Sequence, residues 1–361
     1  MHYIRFLKAP RRTQDSRGLH SLSAIITITT DLGDSFLYFD LPLIVRLEDA
    51  YGNPLSDSSR FKEYLWTRSH GFKGLPIEIP VVPQISRAGV EVNMVIKGKE
   101  EQHRVDSFEQ VLSHTRKGFE DYGGVVSLRG NSKGSGTIER SFDCGASDNI
   151  KIWEEAGESI ARHVWDAGLV LSAYLSAKIK TLPGSSYLPN LPTLQNILSK
   201  PVLNVLELGA GCGIVGITLH QLLPTISRMI LTDLPEATSI LTYNMSLCSS
   251  APSHSVLDWS VPVPTNIGSV QWNLILVADC TYNPDVVPDL VITLGRLAEE
   301  NQSLMILLAM KVRHSSEAVF FTLMGEGGWA IKESIKLPLP VLGGEEEEIE
   351  IFVFGRSALV A

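Results

Sequence analysis

Three closely spaced glycines follow a short apolar run in the middle of the chain, and this pattern most constrains the fold. Residues 202–208 read VLNVLEL, a run that suits a parallel strand buried on both faces. Gly209, Gly211 and Gly213 then allow a sharp turn with a ligand pressed against the backbone. The sequence therefore predicts a strand, a glycine turn and a helix, with a nucleotide-like ligand at the turn.

The residues after this turn alternate apolar runs with helical segments. Such alternation requires crossover connections, so it predicts a doubly wound, mostly parallel α/β sheet. The last two runs are joined without an obvious helix, which indicates an antiparallel pair at one edge. The predicted strands, seven in all, are 202–208, 228–233, 255–258, 272–279, 304–310, 330–337 and 349–354.

The N-terminal part of the chain has a different pattern. Short β-favouring runs alternate with turn signals between residues 19 and 96, which predicts a small, mostly β domain or sheet extension. Within it, the segment FKEYLWTRSHGF at 61–72 is interpreted as a short helix. No catalytic constellation is visible here, and a contribution to substrate recognition is the function we expect.

The boundary between the two parts is predicted from composition. The segment RGNSKGSGTIER at 129–140 is rich in Gly, Ser and charge, which favours a flexible loop. Apolar residues at three- and four-residue steps over 160–179 then predict an amphipathic helix, or a pair of helices broken near Gly168. The predicted division is a β-rich region at 1–128, a linker at 129–149 and a catalytic domain at 150–361.

Charge and cysteine content narrow the class of protein. The 361 residues carry a formal charge of -9, which argues against a protein that binds nucleic acid by broad phosphate neutralisation. Four widely separated cysteines lack metal-ligand spacing, so we expect a reducing compartment and no metal. No signal-peptide core or membrane-length apolar stretch is present. We expect a monomer, cytoplasmic and also nuclear, that binds a protein or small molecule.

Two cofactor interpretations remain open at the glycine turn. Gly211, Gly213 and Gly216 satisfy GxGxxG, and Asp233 lies 20 residues after Gly213, as in dinucleotide-binding sites. Counted from Glu207, the same turn reads E-x-G-x-G-x-G and offers a carboxylate to the amine of an amino-acid moiety. In either case Asp233 is placed to accept hydrogen bonds from ribose hydroxyls.

Five ordered motifs carry a resemblance to a known family. They are VWDAGLVLSAYL at 164–175, VLELGAGCGIVG at 205–216, LTDL at 231–234, LDW at 257–259 and LILVADCTY at 274–282. Together they resemble the seven-stranded, S-adenosylmethionine-dependent protein-lysine methyltransferases of the methyltransferase-like 21 group. The resemblance spans roughly residues 160–354, about half the chain.

The resemblance implies a set of cofactor-binding residues. Gly209 and Gly211 would line the methionine end, and Asp233 would hold the ribose. Trp259 would flank the adenine, with Asp258 near its exocyclic amine. The complete set is Trp165, Glu207, Gly209, Ala210, Gly211, Asp233, Asp258, Trp259 and Ala278.

The family's D-x-x-Y signature falls at Asp279–Tyr282, just past the fourth strand, where doubly wound sheets place their sites. The resemblance makes these two residues the catalytic candidates. We expect Asp279 to orient the incoming ammonium or amine, and Tyr282 to confine it with a hydroxyl and an aromatic face. In this picture Ala278 supplies a backbone contact, and Trp165 closes over the cofactor.

Other polar residues near this edge have two interpretations. Cys280 lacks a visible partner base and is interpreted as a passive lining residue. Lys311, Arg313 and His314 follow the fifth strand and form either a solvated basic loop or a substrate contact.

The leading hypothesis is methyl transfer from S-adenosylmethionine to a lysine of a specific intracellular protein. The alternatives are methylation of a small amine or another side chain, an inactive methyltransferase-like scaffold, and an NAD-dependent oxidoreductase.

Overall fold

The protein divides into two compact units, one of which includes a segment from late in the chain. The first unit comprises Met1–Ile160 and Leu339–Glu347, and the second comprises Ala161–Pro338 and Glu348–Ala361. The structure, a computed structural model, describes residues 1–55, 61–81, 91–115, 123–131, 136–155, 160–180, 187–299, 301–344 and 346–357.

The described residues of the first unit form two β-sheets around a shared apolar core. The sheet orders are β5-β2-β1-β8-β7 and β11-β10-β9-β6-β3-β4. In β5, buried and exposed positions alternate strictly, because successive side chains of a strand point to opposite faces. The elements are β1 His2–Gln14, β2 His20–Thr30, β3 Leu41–Glu48, β4 Lys62–Trp66, β5 Leu75–Pro80, β6 Asn93–Gly98, β7 Arg104–Val105, α1 Phe108–Val111, β8 Val125–Val126, β9 Leu128–Asn131, β10 Thr137–Phe142 and β11 Ile150–Glu155.

The segment 61–72 forms a strand and a short 3₁₀ turn, so the predicted helix is wrong. Strand β4 pairs with β3, which places Trp66 opposite Leu41. The Trp66 ring is fully buried, and its Nε1 donates a hydrogen bond to the Leu37 carbonyl oxygen at 3.0 Å. Sheet pairing and burial of this large ring outweigh the local helical pattern.

The segment 129–149, predicted as a linker, contributes strands to the six-stranded sheet. Strand β10 pairs with both β9 and β11, and the first unit continues to Ile160. Across the last pair, Arg140 donates hydrogen bonds at 2.8 and 2.5 Å to Glu154, and both side chains are fully buried. The polar composition of this segment predicts a loop, yet the segment forms strands because charged residues such as Arg140 are paired inside the unit. Residues 132–135 of the predicted linker lie outside the described residues.

The second unit contains the predicted doubly wound sheet, in the order β14-β13-β12-β15-β16-β18-β17. Only β18 runs opposite to the others, because it is antiparallel to both of its neighbours. Dinucleotide-binding sheets have the order 3-2-1-4-5-6, without such an inserted strand. The predicted fold class is confirmed. The strands are β12 Leu203–Leu208, β13 Ile226–Asp233, β14 Ser253–Val256, β15 Leu274–Ala278, β16 Met305–Met310, β17 Trp329–Pro338 and β18 Glu348–Arg356.

The helices of the second unit include one that is buried on all sides. Asp166–Ala177 form an unbroken run of buried residues in α2, so the predicted amphipathic pattern is wrong for this helix. Gly168 lies inside α2 and allows close approach to Ile214 at the start of α4. The helices are α2 Asp166–Lys180, α3 Pro192–Leu198, α4 Ile214–Leu222, α5 Thr238–Ser246, α6 Thr265–Gly268, α7 Val287–Leu297 and α8 Ala318–Glu326. Within the described ranges, each helix is too short or too polar to cross a lipid bilayer.

Candidate active site

The glycine turn after β12 is held in shape by a carboxylate from the end of β13. Gly209 and Gly211 have φ angles of 67° and 55°, a region that strongly favours glycine. One oxygen of Asp233 accepts a hydrogen bond from the Gly211 amide at 2.7 Å, and the other accepts one from the Leu234 amide at 2.7 Å. A carboxylate has about four acceptor positions. Asp233 therefore retains the capacity to accept hydrogen bonds from ribose hydroxyls.

Glu207 lies beneath the turn, against the first turn of α4. Its Oε2 accepts a hydrogen bond from the Gly216 amide at 3.0 Å, and the residue is 2% exposed. Burial raises the pKa of Glu207 to about 8, against the lowering effect of the Gly216 hydrogen bond. The carboxyl group thus supports the helix N-terminus, and its predicted contact with a cofactor amine stays a prediction.

The raised pKa makes Glu207→Gln a test of this buried carboxyl group. Because the folded-state pKa of about 8 exceeds the ordinary glutamate pKa of 4.5, the stability contribution of the proton is fully present below pH 4.5 and is lost as pH rises through 8. Glu207→Gln should therefore raise the free energy of unfolding at pH 9 by up to about 5 kcal/mol, or roughly 10–20 °C in Tm. At pH 4.5 the difference should vanish.

Thermal unfolding followed by circular dichroism across this pH range checks the prediction. Exposed Glu326 on α8 provides the matched control, because Glu326→Gln should leave Tm unchanged at every pH. A pH-independent Tm difference for Glu207→Gln would contradict the assignment.

An indole ring lies beside the glycine turn. Carbon atoms Cζ2 and Cη2 of half-buried Trp259 are 3.5 and 3.6 Å from the position that a Cβ on Gly209 would take. The preceding Asp258 accepts hydrogen bonds from the Ser260 amide at 2.9 Å and its hydroxyl at 2.7 Å, and these bonds lower the pKa of Asp258. Half-buried Ala278 ends β15, the strand that pairs with β12. The structure thus brings Trp259 and Ala278 to the edge that holds the turn.

Asp279 has an unusual backbone conformation and a fully engaged carboxylate. Its φ angle is 55°, which is uncommon for a residue other than glycine. Oδ1 accepts hydrogen bonds from the Lys311 amide at 3.2 Å and from Arg313 Nη1 at 2.9 Å. Oδ2 accepts bonds from the Ala167 amide at 3.3 Å and from Arg313 Nη2 at 3.2 Å. All four acceptor positions are therefore used within the protein. The predicted direct contact of Asp279 with a substrate ammonium stays a prediction.

Lys311 and Arg313 after β16 are folded against acidic side chains, so the solvated-loop interpretation is wrong for these two residues, whereas His314 is exposed. Lys311 is 8% exposed, and its Nζ lies 3.0 Å from an oxygen of buried Asp166. The Arg313 guanidinium carbon lies 5.6 Å from the centroid of the Trp165 ring. Sequence reasoning missed both ion pairs. In the sequence, these pairs are visible only as acidic residues at the start of α2 and after β15, and as basic residues after β16.

Two further side chains complete this edge. Tyr282 is 46% exposed, and burial of the remainder raises its pKa, so its hydroxyl stays protonated at neutral pH. Cys280 lies under the turn with its Sγ 3.3 Å from the Ala278 carbonyl oxygen. Burial raises the pKa of Cys280 well above its usual value, which gives an unreactive thiol. This environment matches the interpretation of Cys280 as a passive lining residue.

Comparison with known proteins identifies the family. The family model described as lysine methyltransferase matches residues 145–327, half of the chain. The chain belongs to this family. It is 31% identical to Protein N-lysine methyltransferase METTL21A of Mus musculus over 50% of this chain and 74% of the mouse protein. It is also 31% identical to mouse Protein-lysine methyltransferase METTL21E, over 48% of this chain and 66% of that protein.

A fungal relative matches over a similar length. The UPF0665 family protein C23C4.06c of Schizosaccharomyces pombe is 32% identical over 49% of this chain. The alignment spans half the length of that protein. The predicted resemblance to the methyltransferase-like 21 group is confirmed.

S-adenosylmethionine is the cofactor of this family, and the residues at the sheet edge fit it. The glycine turn admits close approach of a ligand, Asp233 keeps free acceptor positions, and Trp259 presents an aromatic ring beside the turn. These residues would hold the amino-acid, ribose and adenine parts, respectively. Among the described residues, no group of three or more His, Cys, Asp or Glu side chains is arranged to hold a metal ion.

Proposed function

We propose that this protein transfers a methyl group from S-adenosylmethionine to the side-chain amine of a lysine in a protein substrate. The observation that carries this proposal is the family match over residues 145–327. It is supported by the glycine turn and the D-x-x-Y signature at Asp279–Tyr282, which follow the adjacent strands β12 and β15. The names of the mammalian relatives describe protein-lysine methyltransferases, which favours a protein acceptor.

The chemistry places defined demands on this site. When bound, S-adenosylmethionine supplies a methyl group activated by a positively charged sulfur. The lysine amine must be deprotonated, which costs about 4.6 kcal/mol at pH 7 for an unperturbed pKa near 10.4. The nitrogen lone pair then bonds to the methyl carbon while the carbon–sulfur bond breaks and sulfur keeps that electron pair. The positive charge passes to the methylated nitrogen, which can release a proton to water.

The chain's own residues meet part of this demand. Tyr282 presents a half-exposed ring that can confine the aliphatic stem of a lysine, and a hydroxyl that can accept or donate a hydrogen bond at the amine. Hydrogen bonds from the Lys311 amide and the Arg313 side chain hold Asp279 in place. The loop that carries Tyr282 therefore begins at a fixed position. We assign Tyr282 the direct contact with the acceptor.

We also propose that the first unit contributes to substrate recognition. The six-stranded sheet lines a cavity of about 240 Å³ that is rich in charged groups. Half-buried Arg129 pairs with buried Glu139 at 2.8 Å, and Lys97 pairs with Asp106 at 2.7 Å. Exposed Lys151 lies on the same lining. This polar surface suits charged side chains of a substrate protein.

Because all four cysteines are free, we further propose a reducing compartment, the cytoplasm.

A labelled-methyl assay tests the proposed activity. The purified full chain is incubated with S-[methyl-³H]adenosylmethionine and an extract of source cells that lack this gene. We expect label in a discrete protein band, removed by protease and located on lysine by mass spectrometry. Tyr282→Phe should lower the rate roughly tenfold, the loss expected for one hydrogen bond at the acceptor. Tyr51→Phe is the control, because Tyr51 is 89% exposed in the first unit.

The other outcomes separate the alternatives. Label only in protease-resistant small molecules would replace the protein substrate with a metabolite. Binding of S-adenosylhomocysteine without any label would indicate a scaffold. Calorimetric binding of NAD in place of S-adenosylhomocysteine would support an oxidoreductase and overturn the proposal.

A further inference from the structure

Two ion pairs lie side by side at the edge of the sheet where methyl transfer is proposed. Arg313 forms a two-pronged pair with Asp279, at 2.9 and 3.2 Å. Lys311, two residues earlier, pairs with Asp166 at 3.0 Å. The side chains of Asp279 and Arg313 are 5% and 15% exposed, so water screens this pair weakly. The acidic signature residue is therefore electrically neutralised within the protein.

This neutralisation bears directly on the acceptor. An uncompensated carboxylate within about 4–6 Å of a lysine ammonium favours the charged form and raises its pKa by 1–3 units. The proposed reaction needs the neutral amine, so such a carboxylate would slow transfer at neutral pH. A guanidinium remains protonated throughout the working range and can cancel this effect at every pH.

We propose that Arg313 is a positioning residue that holds Asp279 as a neutral pair, so that the substrate lysine enters a site whose signature acid does not stabilise its ammonium form. The proposal rests on the proposed function and deepens it. Arg313 acts through Asp279 and does not itself touch the reacting atoms. Its planar fork matches both carboxylate oxygens, which a lysine in the same place would not do.

The surrounding charges are consistent with this assignment. Asp166 is already balanced by Lys311, and Glu317 accepts hydrogen bonds from the Arg313 and His314 amides at 2.9 and 3.1 Å. Among the described residues, Arg313 is the cation whose side chain pairs with Asp279. Within the part of the chain that the structure describes, the titratable or charged groups that face this edge from the packed elements are Asp166, Glu207, Asp233, Asp279, Cys280, Tyr282, Lys311, Arg313, His314 and Glu317.

The test measures how transfer depends on pH. The acceptor is the labelled protein, purified from cells that lack this gene, and single-turnover rates are measured with the enzyme in excess. These rates report ionisations in the enzyme–substrate complex. Arg313→Met should move the midpoint of the rising limb to higher pH by about one unit, because Asp279 is left uncompensated. Asp279→Asn should move it to lower pH, because the substitution removes the negative charge of Asp279 while the Arg313 guanidinium stays positive.

Two more variants separate electrostatics from structural damage. The double variant Arg313→Met/Asp279→Asn should return the midpoint close to that of the unaltered protein. Arg313→Lys keeps the charge and should retain most of the unaltered midpoint, although its rate falls because the fork is lost. Exposed Arg228 on β13 provides the charge-matched control, since Arg228→Met should leave the profile unchanged.

The possible failures are distinct. If the unaltered protein labels no acceptor, the proposed function fails. If it labels the acceptor, and Arg313→Met and Asp279→Asn lower the rate equally at every pH without moving the midpoint, the neutral-pair role is overturned. Opposite shifts from the two single variants support it, because a general loss of structure gives no reason for opposite signs. Should Arg313→Met fail to fold, the shift of Asp279→Asn and its reversal in the double variant decide the question.

Discussion

Gly209→Ala is expected to weaken binding of S-adenosylhomocysteine about 100-fold, or about 2.7 kcal/mol. Gly209 has a φ angle of 67°, where a side chain costs roughly 1–2 kcal/mol. A Cβ at this position would also overlap Cys280 Sγ, which is buried under the turn. Relief of that overlap requires the turn or the start of the D-x-x-Y loop to move. Isothermal titration calorimetry measures the change in Kd.

A matched glycine and a second substitution isolate the cause. Gly295 lies inside α7 with no atom within 4 Å of a built Cβ, so Gly295→Ala should leave the affinity unchanged. Adding Cys280→Ala to Gly209→Ala removes the overlap but not the backbone strain, and should restore part of the affinity. Unaltered affinity in Gly209→Ala would show that the ligand does not depend on this turn.

Asp279→Ala is expected to lower the free energy of unfolding by about 3–5 kcal/mol and to reduce methyl transfer below detection. The substitution leaves the half-buried Arg313 guanidinium without the Asp279 carboxylate, and it leaves the Ala167 and Lys311 amides without their acceptor. Removal of one partner of a buried pair has a cost of this size. The loss should lower Tm by roughly 10 °C, measured by calorimetry.

Two control variants separate the effect of the Asp279 charge from the effect of its side-chain shape. Asp279→Asn keeps one carbonyl acceptor and tolerates the positive φ angle, so its Tm should lie between those of Asp279→Ala and the unaltered protein. Asp285 lies in the same loop but is exposed, and Asp285→Ala should change Tm by less than about 2 °C. An Asp279→Ala protein with unaltered Tm and activity would contradict the network described above.

Local sequence patterns predicted the second unit better than the first unit. The seven strands and the glycine turn were identified because the central strands β12, β15 and β16 are buried on both faces and therefore appear in the sequence as continuous apolar runs. Strands β4 and β10 of the first unit carry charged residues, so segment 61–72 was mistaken for a helix, and strands within 129–149 for a linker. Contacts between neighbouring strands, such as the one between Arg140 and Glu154, determine where those strands form.

The sequence by itself determined the fold class, the family and the positions of the glycine turn and the D-x-x-Y signature, because each is encoded in neighbouring residues. Only the tertiary structure decided which charges meet. Asp279 and Arg313 are 34 residues apart, and Asp166 and Lys311 are 145 apart. These pairs form because the parallel strands β15 and β16 end at one edge, beside the start of α2. Sheet order, a property of the whole chain, sets that proximity.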